Sequence, residues 1–205
     1  MVVAPLRTAR KRSIGRLQLK AGERLLLVGA GTGEDLGLIP SEVFTVATDL
    51  TPAMLRRARV KARAEDHLVV MDGHFLAVPD GAFDAVALHL ILAVIPDPGL
   101  CLAEAVRVLR PGGRITILDK FVGDGSAPSL ARRLLNRITT VIATDITRRL
   151  DTIITDSGAA LRRTGSESAL NGLFTIVTLT RTSDGTRPTR AAPDSRPHDN
   201  GKGDR

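Results

Sequence analysis

The chain has 205 residues with five Phe, no Trp, no Tyr and one Cys, a length that suits a single domain whose core is filled by Leu, Val, Ile and Ala. Cys101 alone excludes a disulfide framework and fits a reducing cytoplasm, and the longest apolar run, Leu88 to Ile95, is eight residues interrupted by His89, far short of the ~20 that cross a bilayer. The net charge of +7 sits in the ends: residues 1–24 carry net +6, residues 181–205 net +2 and the body between them net −1, so the folded core is close to neutral and its ends resemble solvated arms more than readers of nucleic-acid sequence.

In chain order, residues 1–24 are expected to form a basic arm or partial lid, with no apolar stretch of the kind a secretory signal needs. Leu25 to Val28 is a continuous apolar run, as a strand buried on both faces requires. It ends in Gly29-Ala30-Gly31-Thr32-Gly33, a turn too tight for side chains that leads into a short helix. A second apolar strand, Val43 to Asp49, ends in an acid sixteen residues after Gly33. Thr51-Pro52 reads as a capped helix start, with Met54, Leu55 and Ala58 inward and Arg56, Arg57, Arg59, Lys61 and Arg63 outward. His67 to Met71 is a third strand ending at Asp72-Gly73, and Phe83 to about Leu90 a fourth. Asp97-Pro98 opens a helix with Leu102, Ala105, Val106 and Leu109 on one face. Arg110-Pro111-Gly112-Gly113 forces a reversal before a fifth strand, Arg114 to Asp119.

Beyond Pro128 the pattern changes. Residues 129–157 read as one long or two shorter helices, and Ala159 to Glu167 and Leu173 to Thr180 as two antiparallel strands. Residues 182–205 lack periodicity and read as a disordered tail. The alternation predicts an α/β, doubly wound, Rossmann-like fold over residues 25–181: a mostly parallel sheet with a C-terminal antiparallel strand and helices on both faces.

Ligands of such sheets bind beyond the carboxyl ends of the strands, and an acid there accepts from both hydroxyls of a ribose. The glycine spacing is G-x-G-x-G, with Glu34 where a dinucleotide fingerprint needs its third glycine. An acid at a helix start repels a pyrophosphate. The pattern suits a nucleoside ligand with positive charge and no phosphate, as in S-adenosylmethionine.

Four motifs in order, LLLVGAGTGEDL, VATDLTPAMLRRAR, MDGHFLAVPDGAFDAVALHLIL and EAVRVLRPGGRITILDK, resemble class I S-adenosylmethionine-dependent methyltransferases. The nearest branch is that of ubiquinone/menaquinone biosynthesis and bacterial phosphatidylethanolamine N-methylation. The resemblance covers about Leu25 to Thr180 and implies a seven-stranded sheet whose last strand inserts antiparallel. It implies that Gly29, Ala30, Gly31 and Gly33 line the methionine portion of the cofactor. Asp49 would hold the ribose hydroxyls, with Leu50 and Met54 against the adenine. Asp72 would accept from the adenine amino group, and the Gly73 backbone would meet the ring edge. His89 would face the methyl group as candidate base, with Asp119 and Lys120 as outside candidates. Asp-Gly is also a common turn pair, and a lone histidine in an apolar strand is often a satisfied core residue, so both readings stay open for Asp72 and His89.

Two departures stand out. Leu27 occupies the position where the family carries an acid, for which Asp35 could compensate, and only 24 residues precede the first strand, so a closing segment is minimal, is supplied by a partner or lies upstream. The implied reaction is methyl transfer to a small-molecule or lipid-like acceptor. The apolar Leu90-Ile91-Leu92 stretch and Arg132, Arg133, Arg137, Arg148 and Arg149 favour a cytoplasmic protein in peripheral contact with an anionic membrane, or are a solvated basic face. The alternatives are an RNA methyltransferase using the basic arm, for which stacking aromatics are scarce, and a cofactor-binding relative without catalysis. Four scattered histidines and one cysteine give no metal-ligand pattern.

Overall fold

The computed structural model describes residues 3–120 and 150–182. Seven strands form one sheet in the order β3-β2-β1-β4-β5-β7-β6. They are β1 (Arg24–Val28), β2 (Phe44–Asp49), β3 (His67–Val70), β4 (Phe83–His89), β5 (Leu109–Asp119), β6 (Leu161–Ala169) and β7 (Phe174–Arg181). The first five pair in parallel, whereas β7 lies antiparallel between β5 and β6. The fold class expected from the sequence is the one observed. The chain winds outward from β1 through β2 to β3, then crosses to β4 on the other side of β1. That reversal opens a crevice at the carboxyl ends of β1 and β4.

The central strands are apolar throughout because both faces are covered. Leu26, Val28, Val86 and Leu88 meet the helices α3 (Pro98–Arg107) and α4 (Leu150–Asp156) through Leu102, Ala105 and Ile153. Leu25, Leu27, Ala85 and Ala87 face the opposite layer, where Ile14, Leu17, Leu36 and Ala58 pack. That layer holds α1 (Val3–Arg16), a single 3-10 turn at Leu36–Leu38, and α2 (Pro52–Ala58). The alanines of β4 let this layer approach the sheet closely.

The local signals act as their chemistry dictates, with informative exceptions. Asp97 caps α3 by accepting from Leu100 N–H at 2.9 Å, ahead of Pro98. Thr51 precedes Pro52 as expected, yet its hydroxyl makes no capping bond. The helix α2 ends at Ala58 rather than running on to Arg63, whose guanidinium turns back onto Asp66 and the Pro40 carbonyl. Leu109 belongs to β5, not to α3, and residues 110–113 are a bulge opposite Asp84 instead of a reversal before the strand. The Arg110–Asp84 ion pair at 2.7 Å spans that bulge. Strand β6 begins two residues later than its polar, edge-exposed sequence suggested. Most of the helical stretch expected over 129–157, the five arginines proposed for a basic face and the tail from 183 lie outside the described residues.

The N-terminal segment departs most from expectation. Its described part is not a solvated arm: Val3–Arg16 is helical, with Ala9, Ser13 and Ile14 buried against the sheet. Three of its seven basic side chains pair within the chain, Arg10 with Asp35 and both Arg12 and Arg16 with Glu167. The buried positions Ala9, Ser13, Ile14 and Leu17 recur at helical spacing. If α1 is part of the core, Ile14→Ala will cost about 2–5 kcal/mol in urea unfolding; a solvated arm would lose almost nothing.

Candidate functional site

The site grows from the loop that follows β1. Its backbone alternates through left-handed positions at Gly29, Gly31 and Gly33 (φ 71°, 55° and 76°), a path closed to side chains with a Cβ. At Gly33 a Cβ would come within 2.9 Å of Ala58 and of Leu36, so this glycine lets the loop sit down on α2. At Gly31 a Cβ would meet nothing within 4 Å. Open space at Gly31 beside a tightly packed Gly33 is what a cradle for a ligand requires. The Ile91 side chain closes over Gly29, where a Cβ would lie 2.6 Å from its Cδ1.

Asp49, at the end of β2, faces this loop. Its Oδ2 accepts from Gly31 N–H at 2.8 Å and its Oδ1 from Thr51 N–H at 2.9 Å. Each carboxylate oxygen has a second lone pair, so vicinal hydroxyls can still be held there. Leu50 and Met54 beside it are 65% and 37% exposed, apolar surface left at the strand ends for a flat partner. Asp72 follows β3, whose continuation is held by Met71 N–H donating to the Asp49 carbonyl at 3.1 Å. A Cβ at Gly73 would lie 3.1 Å from Ile95 and 3.3 Å from both Cys101 and Val28, so that backbone lies flat on the floor of the crevice. The structure thus brings Gly29, Ala30, Gly31, Gly33, Asp49, Leu50, Met54, Asp72 and Gly73 to one end of the sheet.

A pyrophosphate binds N–H groups left free at a helix start, and several in this loop are engaged within the chain. Ala30 N–H donates to Thr48, Gly31 to Asp49, Gly33 to Ala30, Leu36 to Gly33 and Leu38 to Asp35. Only one 3-10 turn follows. The repulsion expected from Glu34 is muted, because the Lys61 ammonium pairs with it and holds its carboxyl below the usual range. A single 3-10 turn offers a pyrophosphate far less of a helix dipole than a full helix does.

His89 is placed differently from the expectation that it faces the methyl group. It is 4% exposed beneath α1. Its Nε2 lies 2.8 Å from Ser13 Oγ and its Nδ1 2.9 Å from Asp35 Oδ1. Ser13 Oγ continues to Thr116 Oγ1 at 2.8 Å, and Arg10 donates to Asp35 Oδ2 at 2.6 Å. His89 is the satisfied core histidine, the centre of a buried chain that ties α1 to the glycine loop, β4 and β5. Asp35 is equally committed, so it does not stand in for the acid absent at Leu27, itself buried on the same face of the sheet. Burial pushes the Asp35 carboxyl up, but His89 and Arg10 outweigh it and hold the group below the usual carboxylate range.

The outside candidates have structural duties too. Asp119 is buried and accepts from Ala93 N–H at 3.0 Å and Lys120 N–H at 2.8 Å, bracing the loop after β4. Burial pushes its carboxyl up against the lowering effect of those donors. Lys120 places its ammonium 5.3 Å from the Phe174 ring. That loop opens with Leu90 at φ 61°, a strained conformation for a leucine and a mark of a position over-determined by its surroundings. Sequence reasoning missed Leu90, Arg10, Ser13 and Thr116. Only Ser13 left a signal, a hydroxyl on the buried stripe of a basic helix.

Three expectations follow. Gly31→Ala should cost about 1–2 kcal/mol of stability through its backbone alone, whereas Gly33→Ala, which also collides with Ala58, should cost more, as equilibrium unfolding will show. His89→Ala removes one partner each from Asp35, which keeps Arg10, and from Ser13, which keeps Thr116, and should cost about 1–3 kcal/mol. Because the Asp35 carboxyl is lowered in the fold, its contribution is present above the ordinary carboxylate value of about 3.9 and is lost as pH falls through the lowered one. Wild type should therefore lose stability below about pH 4 more steeply than Asp35→Asn, measured by denaturation across pH.

Residues 26–117 match the protein family described as a methyltransferase domain. A phosphatidylethanolamine N-methyltransferase of Cereibacter sphaeroides is 32% identical over 133 residues, covering 62% of this chain and 65% of that protein. A demethylmenaquinone methyltransferase of Corynebacterium glutamicum is 39% identical over 114 residues, 55% of this chain and 48% of that one. The match thus spans about half to just under two thirds of these relatives. Among solved structures, the [4+2]-cyclase SpnF superposes with a TM-score of 0.71 at 16% identity, covering 86% of this chain and 81% of that one. A putative methyltransferase of Bacillus halodurans gives 0.70 at 16% identity, covering 86% and 100%. At such identities the structures establish the fold alone. Residues 26–117 therefore match a methyltransferase domain, and the fold of the chain is that of these structures.

Proposed function

We propose that this chain transfers a methyl group from S-adenosylmethionine to a small-molecule or lipid-like acceptor. The observation that carries the reading is the Asp49 carboxylate, turned toward the glycine bend and 2.8 Å from Gly31 N–H. When bound, S-adenosylmethionine supplies a methyl group on a sulfonium that leaves as a neutral thioether. The chain's own contribution is placement. Gly31 leaves room for the ligand, Asp49 offers acceptors to its ribose, and Leu50 and Met54 offer apolar contact to its base. The Ile91 side chain closes over Gly29, and the loop that carries it is braced by Asp119. Near-attack geometry held in this way is worth roughly 7–11 kcal/mol of barrier.

His89 acts in this reading as a strut, with both ring nitrogens engaged inside the protein. A nucleophile that arrives unprotonated suits such a site better than one that needs a dedicated base. The acceptor class draws support from relatives named for phosphatidylethanolamine and demethylmenaquinone methylation. Cytoplasmic placement with peripheral contact at an anionic membrane belongs to the same proposal, since acceptors of that kind reside in lipid. The RNA alternative is weakened because Arg10, Arg12 and Arg16 are spent on internal acids.

Calorimetric titration with S-adenosylmethionine and its demethylated product tests the cofactor. Wild type should bind both, and Asp49→Ala should lose at least about tenfold in affinity; a wild type that binds neither overturns the reading. Labelled methyl transfer to phosphatidylethanolamine vesicles and to a demethylated quinone then tests the acceptor, and co-sedimentation with anionic against neutral vesicles tests the membrane.

A further inference from the structure

The pair formed by Asp72 and His74 is not accounted for by the fold or by methyl transfer. His74 stands two residues after Asp72 in the loop that leaves β3, and its side chain is 14% exposed while that of Asp72 is 38% exposed. Both His74 N–H and His74 Nδ1 lie 2.9 Å from Asp72 Oδ1. On its other side, His74 Nε2 lies 3.2 Å from the backbone N–H of Asp97. That N–H can only donate, so Nε2 is the bare nitrogen and the ring proton sits on Nδ1, directed at Asp72. Asp97 is itself fixed, since its Oδ1 caps α3 through Leu100 N–H. The imidazole is thereby clamped between the start of α3 and one oxygen of the carboxylate.

We infer that His74 is a positioning residue for base recognition: it clamps Oδ1 of Asp72 so that Oδ2 is presented to the exocyclic amino group of an adenine. The inference rests on the proposed use of an adenosyl cofactor and deepens it by assigning how the base is read. Three features of the loop favour this over a mere turn-closing role. Among the described residues, both bonds to Asp72 fall on Oδ1, although a turn needs only the backbone bond from His74 N–H. Met71 N–H, bonded to the Asp49 carbonyl at 3.1 Å, sets the spacing between the ribose acid and the second acid. Gly73 lies flat against Val28, the residue before the glycine bend, which brings Asp72 to the floor of the same crevice. An amino group donates where the 6-hydrogen of an unsubstituted purine cannot, so an oriented carboxylate distinguishes the two.

The test compares S-adenosylhomocysteine with its analogue bearing hydrogen in place of the adenine amino group, by calorimetry on the full chain. Wild type should bind the amino ligand about tenfold more tightly than the analogue. His74→Ala should erase that preference by weakening the amino ligand and leaving the analogue within about twofold. His74→Asn, whose side-chain amide donates from near the Nδ1 position, should restore most of it, and melting curves should show that both variants are folded. Wild type with no preference, or His74→Ala weakening both ligands equally, overturns the inference while leaving the cofactor in place. Wild type that binds neither ligand overturns the cofactor reading and this inference with it.

Discussion

The hydrogen bond from Gly31 N–H to the Asp49 carboxylate joins the two strand ends on which the site is built. It draws the tip of β2 against the loop after β1, so the position of one fixes the position of the other. It exists because residue 31 adopts a left-handed backbone with no side chain to shield its N–H. The same carboxylate takes Thr51 N–H at the start of α2, while Gly33 seats the far end of the loop on Ala58 of that helix. Loop, strand and helix are therefore a single unit. A ligand whose hydroxyls meet Asp49 finds its acceptors already oriented, which lowers the entropy lost on binding.

A second level of support lies behind this unit, under α1. The chain Arg10–Asp35–His89–Ser13–Thr116 crosses the layer between helix and sheet. Each member satisfies another, which is the condition under which polar groups are tolerated in such a place. Its members come from α1, the turn after the glycine loop, β4 and β5, the elements that flank the crevice. Methyl transfer by alignment needs rigidity more than proton shuttling, and a buried histidine used as a strut serves that need. Asp119 does the same for the loop after β4, where Leu90 is held in strain and Ile91 covers Gly29. Superposition on a [4+2]-cyclase as well as on methyltransferases shows that this fold is shared by different reactions.

What was legible in the sequence was local or periodic. Apolar runs closed by glycine or acid marked four of the five parallel strands, Pro52 and Pro98 marked two helix starts, and the glycine spacing with Asp49 marked the bend and the acid that faces it, because each depends on backbone geometry that a few neighbouring residues dictate. The sequence alone thus determined the fold class and the meeting of a glycine bend with an acid at the next strand end. The tertiary structure decided which polar residues are free. Whether His89 faces a ligand or the core depends on Ser13, 76 positions away, and on Asp35, 54 away. Whether the basic N-terminus is an arm or a packed helix depends on the face of the sheet that Ala85 and Ala87 leave open to it. Whether Glu34 repels an anion depends on Lys61, 27 positions away. Charge and hydrogen bonding are settled by partners brought together from distant parts of the chain, and no local pattern records who those partners are.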